Sequence, residues 1–96
     1  MKNEVDREQV EEVLGRAMSE WWDDGEVDEL ERRLTERFPR HAKTVARIVE
    51  RAGDASNTRS ELESEDDEEL ELELERDYDR QSAAVMRAIA KLPWTR

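Results

Sequence analysis

Cysteine is absent from the 96 residues, which excludes a disulfide framework and a thiolate metal site and leaves the fold to non-covalent packing. Proline occurs twice and glycine three times, so no Pro-rich or Gly-rich linker divides the chain. No apolar run approaches the roughly 20 residues that span a bilayer. Met1-Lys2-Asn3-Glu4-Val5-Asp6 also lacks the apolar stretch of a signal peptide. The expectation is a cytoplasmic protein without membrane contact. Large apolar residues are scarce too: Val, Ile, Leu and Phe number 18 of 96, just under the fraction below which a highly charged chain is suspected of disorder. Folding must therefore come from where those residues sit.

Charge is what the chain has in abundance. Asp and Glu number 27 against 16 Lys and Arg, for a net charge of −11, which opposes nucleic acid and anionic lipid over the surface as a whole. The distribution is uneven. Residues 1–31 carry 12 acids and 3 bases, residues 32–51 carry 2 acids and 7 bases, and residues 52–96 carry 13 acids and 6 bases. Arg outnumbers Lys 13 to 3, and acidity as a solubility trait, as in a high-salt cytoplasm, competes with a functional acidic surface.

The apolar residues fall at helical spacing. Val10, Val13, Leu14, Ala17, Met18 and Trp21 align on one face of a helix over about 6–22, with Asp6 and Gln9 as a capping pair. Trp21 lies with this stripe and Trp22 at its edge. Val27, Leu30, Leu34 and Phe38 make a second helix that Pro39 stops. Ala42, Val45, Ala46, Ile48 and Val49 make a third over about 40–52, closed by Gly53. Residues 54–64 are small and polar, with only Leu62 to bury, and read as a loop.

Leu70, Leu72 and Leu74 alternate with Glu like a strand, but Leu and Glu favour helix. The stripe Leu70, Leu74, Tyr78, Val85, Ile89, Leu92 extends the helical period to Pro93. The expectation is a fourth helix over about 65–91, with a break near Asp77-Tyr78-Asp79. The fold class is thus all-α, a small bundle of about four helices, the last one long and acidic. It divides into a three-helix part (1–53), a polar loop (54–64) and the long helix (65–96). The stripe is roughly 33 Å long at helical rise, longer than the second and third helices cover, so a homodimer or a helical partner is expected along it.

No catalytic, metal or cofactor signature emerges. His41 is the one histidine, and a catalytic role needs a carboxylate or nucleophile from elsewhere. No Glu stands three residues before it, as a bundle di-metal site of the Glu-x-x-His kind wants. Asp54, Ser56, Thr58 and Glu65 occupy positions 1, 3, 5 and 12 of a calcium-loop spacing, but the sixth place, where glycine is required, is Arg59. A polar linker accounts better for these residues, and an enzyme is the least supported class.

Two surfaces remain. Between Glu61 and Asp79 stand 12 acids and one base, Arg76. Glu68, Glu69, Glu71, Glu73 and Glu75, with Trp22 and Trp94 as aromatic anchors, suit a protein partner with a basic surface. The concrete form is an inhibitor that imitates the phosphate rows of DNA. The bland account is a solvated acidic face. The alternative surface is basic: the second helix, the Pro39-Arg40-His41 break and the third helix resemble a helix-turn-helix in outline. There Arg40, Lys43, Arg47 and Arg51 would contact nucleic acid in a small transcriptional or antitoxin-like regulator.

Overall fold

Two aspartates begin the first two helices. Asp6 accepts a hydrogen bond from the backbone N–H of Gln9 at 2.8 Å, opening α1 (Arg7–Ser19), and Asp23 accepts from Glu26 at 3.2 Å, opening α2 (Asp24–Arg37). Each satisfies a donor that the first helical turn leaves without a partner. α2 ends at Phe38 because Pro39 disfavours helical backbone in the residue before it. A 3-10 turn, Pro39–His41, leads into α3 (Ala42–Ser64), and three residues then reverse the chain into α4 (Glu68–Ala90). The computed structural model describes residues 5–94, so residues 1–4, read above for a signal sequence, lie outside the described residues.

Three contacts set the topology. Arg37 Nη1 donates to the carbonyl of Val5 at 3.2 Å, which brings the start of α1 to the end of α2. Ser19 at the other end of α1 lies beside Tyr78 in α4. Phe38 after α2 meets Trp94 after α4, with ring centroids 5.0 Å apart. The four helices therefore run up, down, up, down around one apolar cluster, in which Leu14, Leu34, Ile48 and Ile89 are the largest fully buried side chains. The fold is an all-α bundle, and no helix among the described residues is long and apolar enough to cross a membrane.

The helices are of two lengths. α1 and α2 have 13 and 14 residues, α3 and α4 have 23 each. At 1.5 Å per residue the first pair is about 20 Å long and the second about 34 Å. The α3–α4 hairpin thus projects beyond the bundle, and the molecule measures 48 × 23 × 20 Å.

Several expectations are corrected. Residues 54–64 are not a loop: α3 continues through Gly53 to Ser64. The burying residues there are small, Ala52, Ala55 and Thr58, and their size lets α4 lie close. The Thr58 hydroxyl donates to the Asp54 carbonyl at 3.1 Å, which satisfies its polar atom inside the contact. α4 starts at Glu68 rather than 65, capped by Asp67, and has no break near Asp77-Tyr78-Asp79. Ala46 is exposed. Trp21 is 73% exposed, whereas Trp22 packs against the core. α1 ends at Ser19, so the helical period no longer governs where Trp21 points.

Gly53 has no positive φ, and a methyl group there would meet the Trp22 ring at 3.8 Å, an ordinary contact. Gly53→Ala is expected to stabilise the protein by about 0.5–1 kcal/mol, the helix-propensity gain of alanine. Thermal unfolding checks this: Tm should rise by a few degrees, and a fall would mean that Gly53 ends the helix as the loop reading supposed.

Candidate functional site

The projecting end of the hairpin carries the acidic residues. Asp67 accepts from the backbone N–H groups of Glu69 at 2.9 Å and Leu70 at 3.4 Å, and Glu65 accepts from that of Asp67 at 3.0 Å. Glu68, Glu69 and Glu71 occupy the first turn, where the positive end of the helix dipole favours anions. Part of this acidity therefore stabilises the helix itself.

Glu68, Glu69, Glu73 and Glu75 are exposed and Glu71 is half-buried. Among the described residues none of these five carboxylates has an ion-pair partner. Beside them Leu70 is 46% and Leu72 57% exposed, while Leu62 and Leu74 are half-buried. Leu70 and Leu74 share the face turned to α3, and Leu72, two residues on, falls nearly opposite. The stripe predicted along α4 is thus covered within the chain at Val85, Ile89 and Leu92 and uncovered only toward the tip.

The opposite end of the hairpin is cationic. Arg40, Lys43, Arg47 and Arg51 are exposed, without an ion pair among the described residues. The antiparallel return of α4 adds Arg80, Arg87 and Lys91, all exposed. Arg51 and Arg80 line one groove with Asp54, Gln81 and Ala84. Sequence reasoning missed the α4 contribution, although Arg80, Ala84, Arg87 and Lys91 recur at spacings of four, three and four, the rhythm of one helix face.

The three tryptophans lie in different surroundings. Trp22 is half-buried, with Nε1 donating to Asp24 at 2.9 Å. Trp94 donates from Nε1 to the Ile89 carbonyl at 2.7 Å and packs edge-on against Phe38. Both close the bundle, which leaves Trp21 as the exposed tryptophan. The calcium-loop residues Asp54, Ser56 and Thr58 lie on the continuous α3, where successive ligands diverge instead of curling around an ion. His41 is exposed, edge-on to Phe38 with centroids 6.4 Å apart.

Tyr78 sits where the bundle ends and the projection begins, half-buried between Ser19 and Arg59. Burial pushes its phenol above the ordinary value of 10.0, against the opposing pull of Arg59. No protein-family model matches the chain, and no curated protein or solved structure matches it either.

Tyr78 is the single tyrosine, so alkaline ultraviolet titration reads it alone. The midpoint is expected above 10.0 in the folded protein. Because the folded phenol is the weaker acid, the stability it contributes is present below the unfolded pKa and is lost as pH rises through the folded one. The unfolding free energy should fall in that alkaline window, less steeply in Tyr78→Phe; a midpoint at or below that of the denatured chain contradicts the burial.

Proposed function

We propose that the chain is a non-enzymatic binding protein that docks the acidic tip of the α3–α4 hairpin onto a macromolecule with a basic surface. The most concrete form is a DNA-mimic inhibitor of a nucleic-acid-binding protein. The observation that carries this reading is a row of carboxylates without ion-pair partners on helical turns that project past α1 and α2. Glu68, Glu69, Glu71, Glu73 and Glu75 are five acids over eight residues. That is about one carboxylate per 2.4 Å of helix axis, against one charge per 1.7 Å of duplex DNA. Such a row suits the cation-lined cleft of a DNA-binding protein, and binding would release the cleft's counterions as DNA does. Leu70 and Leu72, exposed among the acids, add the apolar contact that a purely electrostatic surface lacks. Trp22 and Trp94 are half-buried against the core of the bundle.

A second reading rests on the cationic end. Arg40, Lys43, Arg47 and Arg51, with Arg80 and Arg87 alongside, could contact a phosphate backbone as a small DNA-binding regulator does. The acidic tip of the same hairpin lies within about 34 Å, one turn of duplex, and opposes that docking.

Replacing Glu68, Glu69, Glu71, Glu73 and Glu75 with Gln is expected to keep the helical far-UV spectrum and weaken binding to a basic partner by at least about tenfold. Gel shifts separate the two readings. A mimic leaves duplex DNA free at low salt and displaces it from a DNA-binding protein, whereas a regulator shifts duplex directly with a steep salt slope. Direct duplex binding abolished by Lys43→Gln, Arg47→Gln and Arg51→Gln together would overturn the mimic.

A further inference from the structure

Among the described residues, one face of the α3–α4 hairpin is covered by no other helix, and its two ends carry opposite charge. α1 packs on the opposite side of α4, since a methyl group at Gly15 would meet Met86 at 3.5 Å. Met86 lies about 160° around α4 from Ala84, which lines the open groove with Arg51, Asp54, Arg80 and Gln81. Helical spacing extends this face in both directions. Toward the base it gains Arg47, one turn before Arg51, and Arg87 and Lys91, one and two turns after Ala84. Toward the tip it gains Asp77, Glu73 and Glu69, with Leu70 beside them. Over the parts of the hairpin concerned, residues 39–52 and 80–91 hold seven bases and one acid, and residues 60–79 hold 12 acids and one base.

We infer that this face is an isologous interface, on which two copies of the chain pair antiparallel about a two-fold axis near Asp77 and Arg80. A face that is positive at one end and negative at the other is complementary to itself under that rotation, and a two-fold contact closes without growing into a filament. The spacing fits. From a midpoint between Asp77 and Arg80, Glu69 lies about 14 Å toward the tip and Arg87 about 13 Å toward the base, at 1.5 Å per residue. The rotation therefore brings each onto the other's counterpart.

Glu73 falls level with the small Ala84, which leaves room for its carboxylate to reach Arg47 and Arg51. At the axis Asp77 and Arg80, already an ion pair within the chain, meet their own copies in crossed order. Gln81 lines the groove at this level, and its side-chain oxygen is buried without a hydrogen-bond donor among the described residues.

The area suffices. Two helices about 34 Å long and 8–10 Å apart present roughly 600–700 Å² per copy, about 1,300 Å² in the pair, within the range of specific interfaces. The net charge of −11 opposes association only weakly at physiological ionic strength, where charges beyond about 8 Å are screened and the local pairing decides. A wholly acidic surface could not pair with itself in this way; the cationic base supplied by α4 as well as α3 makes it possible. This inference does not rest on the tip's proposed partner. Where both hold, a basic partner must displace the second copy.

Sedimentation equilibrium of the full chain in about 0.15 M salt tests it, with expected dimer formation that weakens at least tenfold in about 1 M salt. Two charge-reversed variants complete the test. Arg47→Glu with Arg87→Glu reverses the base, and Glu69→Lys with Glu73→Lys reverses the tip, each at exposed positions. Each variant alone is expected to be monomeric with an unchanged far-UV spectrum, and an equimolar mixture is expected to form a heterodimer, because each copy then offers the other matching ends. A monomeric wild-type chain at about 0.5 mM in about 0.15 M salt would overturn the inference. So would a dimer indifferent to both reversals, or a mixture of folded variants that stays monomeric.

Discussion

A mismatch of helix length governs this molecule. α3 and α4 pack against one another for 23 residues, and α1 and α2, with 13 and 14, can cover little more than half of that contact. Where all four helices meet, Leu14, Leu34, Ile48 and Ile89 lose their surface to one cluster. Beyond Tyr78 the hairpin must hold itself together with Leu62 and Leu74, both half-buried. Burial of apolar area contributes about 25 cal/mol per Å², so the tip has far less of it to draw on than the base. What stabilises the tip instead is local: the Asp67 cap, the acids of the first turn of α4, and the Arg59–Glu63 pair at 3.3 Å on α3.

The other end is tied by Arg37. Its guanidinium donates to the carbonyls of Val5 at 3.2 Å and Trp94 at 3.1 Å, while lying 5.3 Å from the Phe38 ring centroid and 5.4 Å from that of Trp94. Hydrogen bonds from a charged donor contribute about 1.5–3 kcal/mol each, and the stacked aromatic faces favour the same cation. One side chain from α2 thereby joins the segments before α1 and after α4, which the chain order places furthest apart. Lysine could not replace it, since a single ammonium has no planar fork to serve two carbonyls and two rings at once.

The remaining ion pairs are mostly short in sequence: Arg7–Glu11, Arg32–Glu36, Arg33–Glu29 and Arg59–Glu63 at i,i+4, with Arg32–Glu29 and Arg80–Asp77 at i,i+3. Arg16–Glu26 at 2.7 Å joins α1 to α2. The paired pool is drawn largely from α2 and the middle of the chain. Among the described residues, Glu68, Glu69, Glu71, Glu73 and Glu75 at the tip and Arg40, Lys43, Arg47, Arg51, Arg87 and Lys91 at the base are not consumed by it. That division of labour is what the proposed docking of the tip and the proposed pairing of two hairpins both use.

The local sequence determined the helices where large apolar residues recur at a period of 3.6. α1 and α2 were legible from Val10, Leu14, Val27, Leu30 and Leu34, and the start of α1 from Asp6; the Asp23 cap that opens α2 was not. The acidic segment was legible as well, because composition is a property of the chain and not of its folding. Residues 54–64 were not. Ala52, Ala55 and Thr58 bury by being small beside α4, and nothing in a short polar stretch reveals a close neighbour that lies twenty or more residues away.

The fate of the tryptophans was likewise decided by tertiary structure, since α1 stops two residues before Trp21 and the bundle's end then selects Trp22. Tertiary structure also decided the cationic surface. α3 supplies Arg40, Lys43, Arg47 and Arg51, but only the antiparallel return of α4 sets Arg80, Arg87 and Lys91 beside them. One helix's worth of basic residues is a stripe in the sequence; the open two-helix face exists because α1 and α2 are too short, and packed on the wrong side, to cover it.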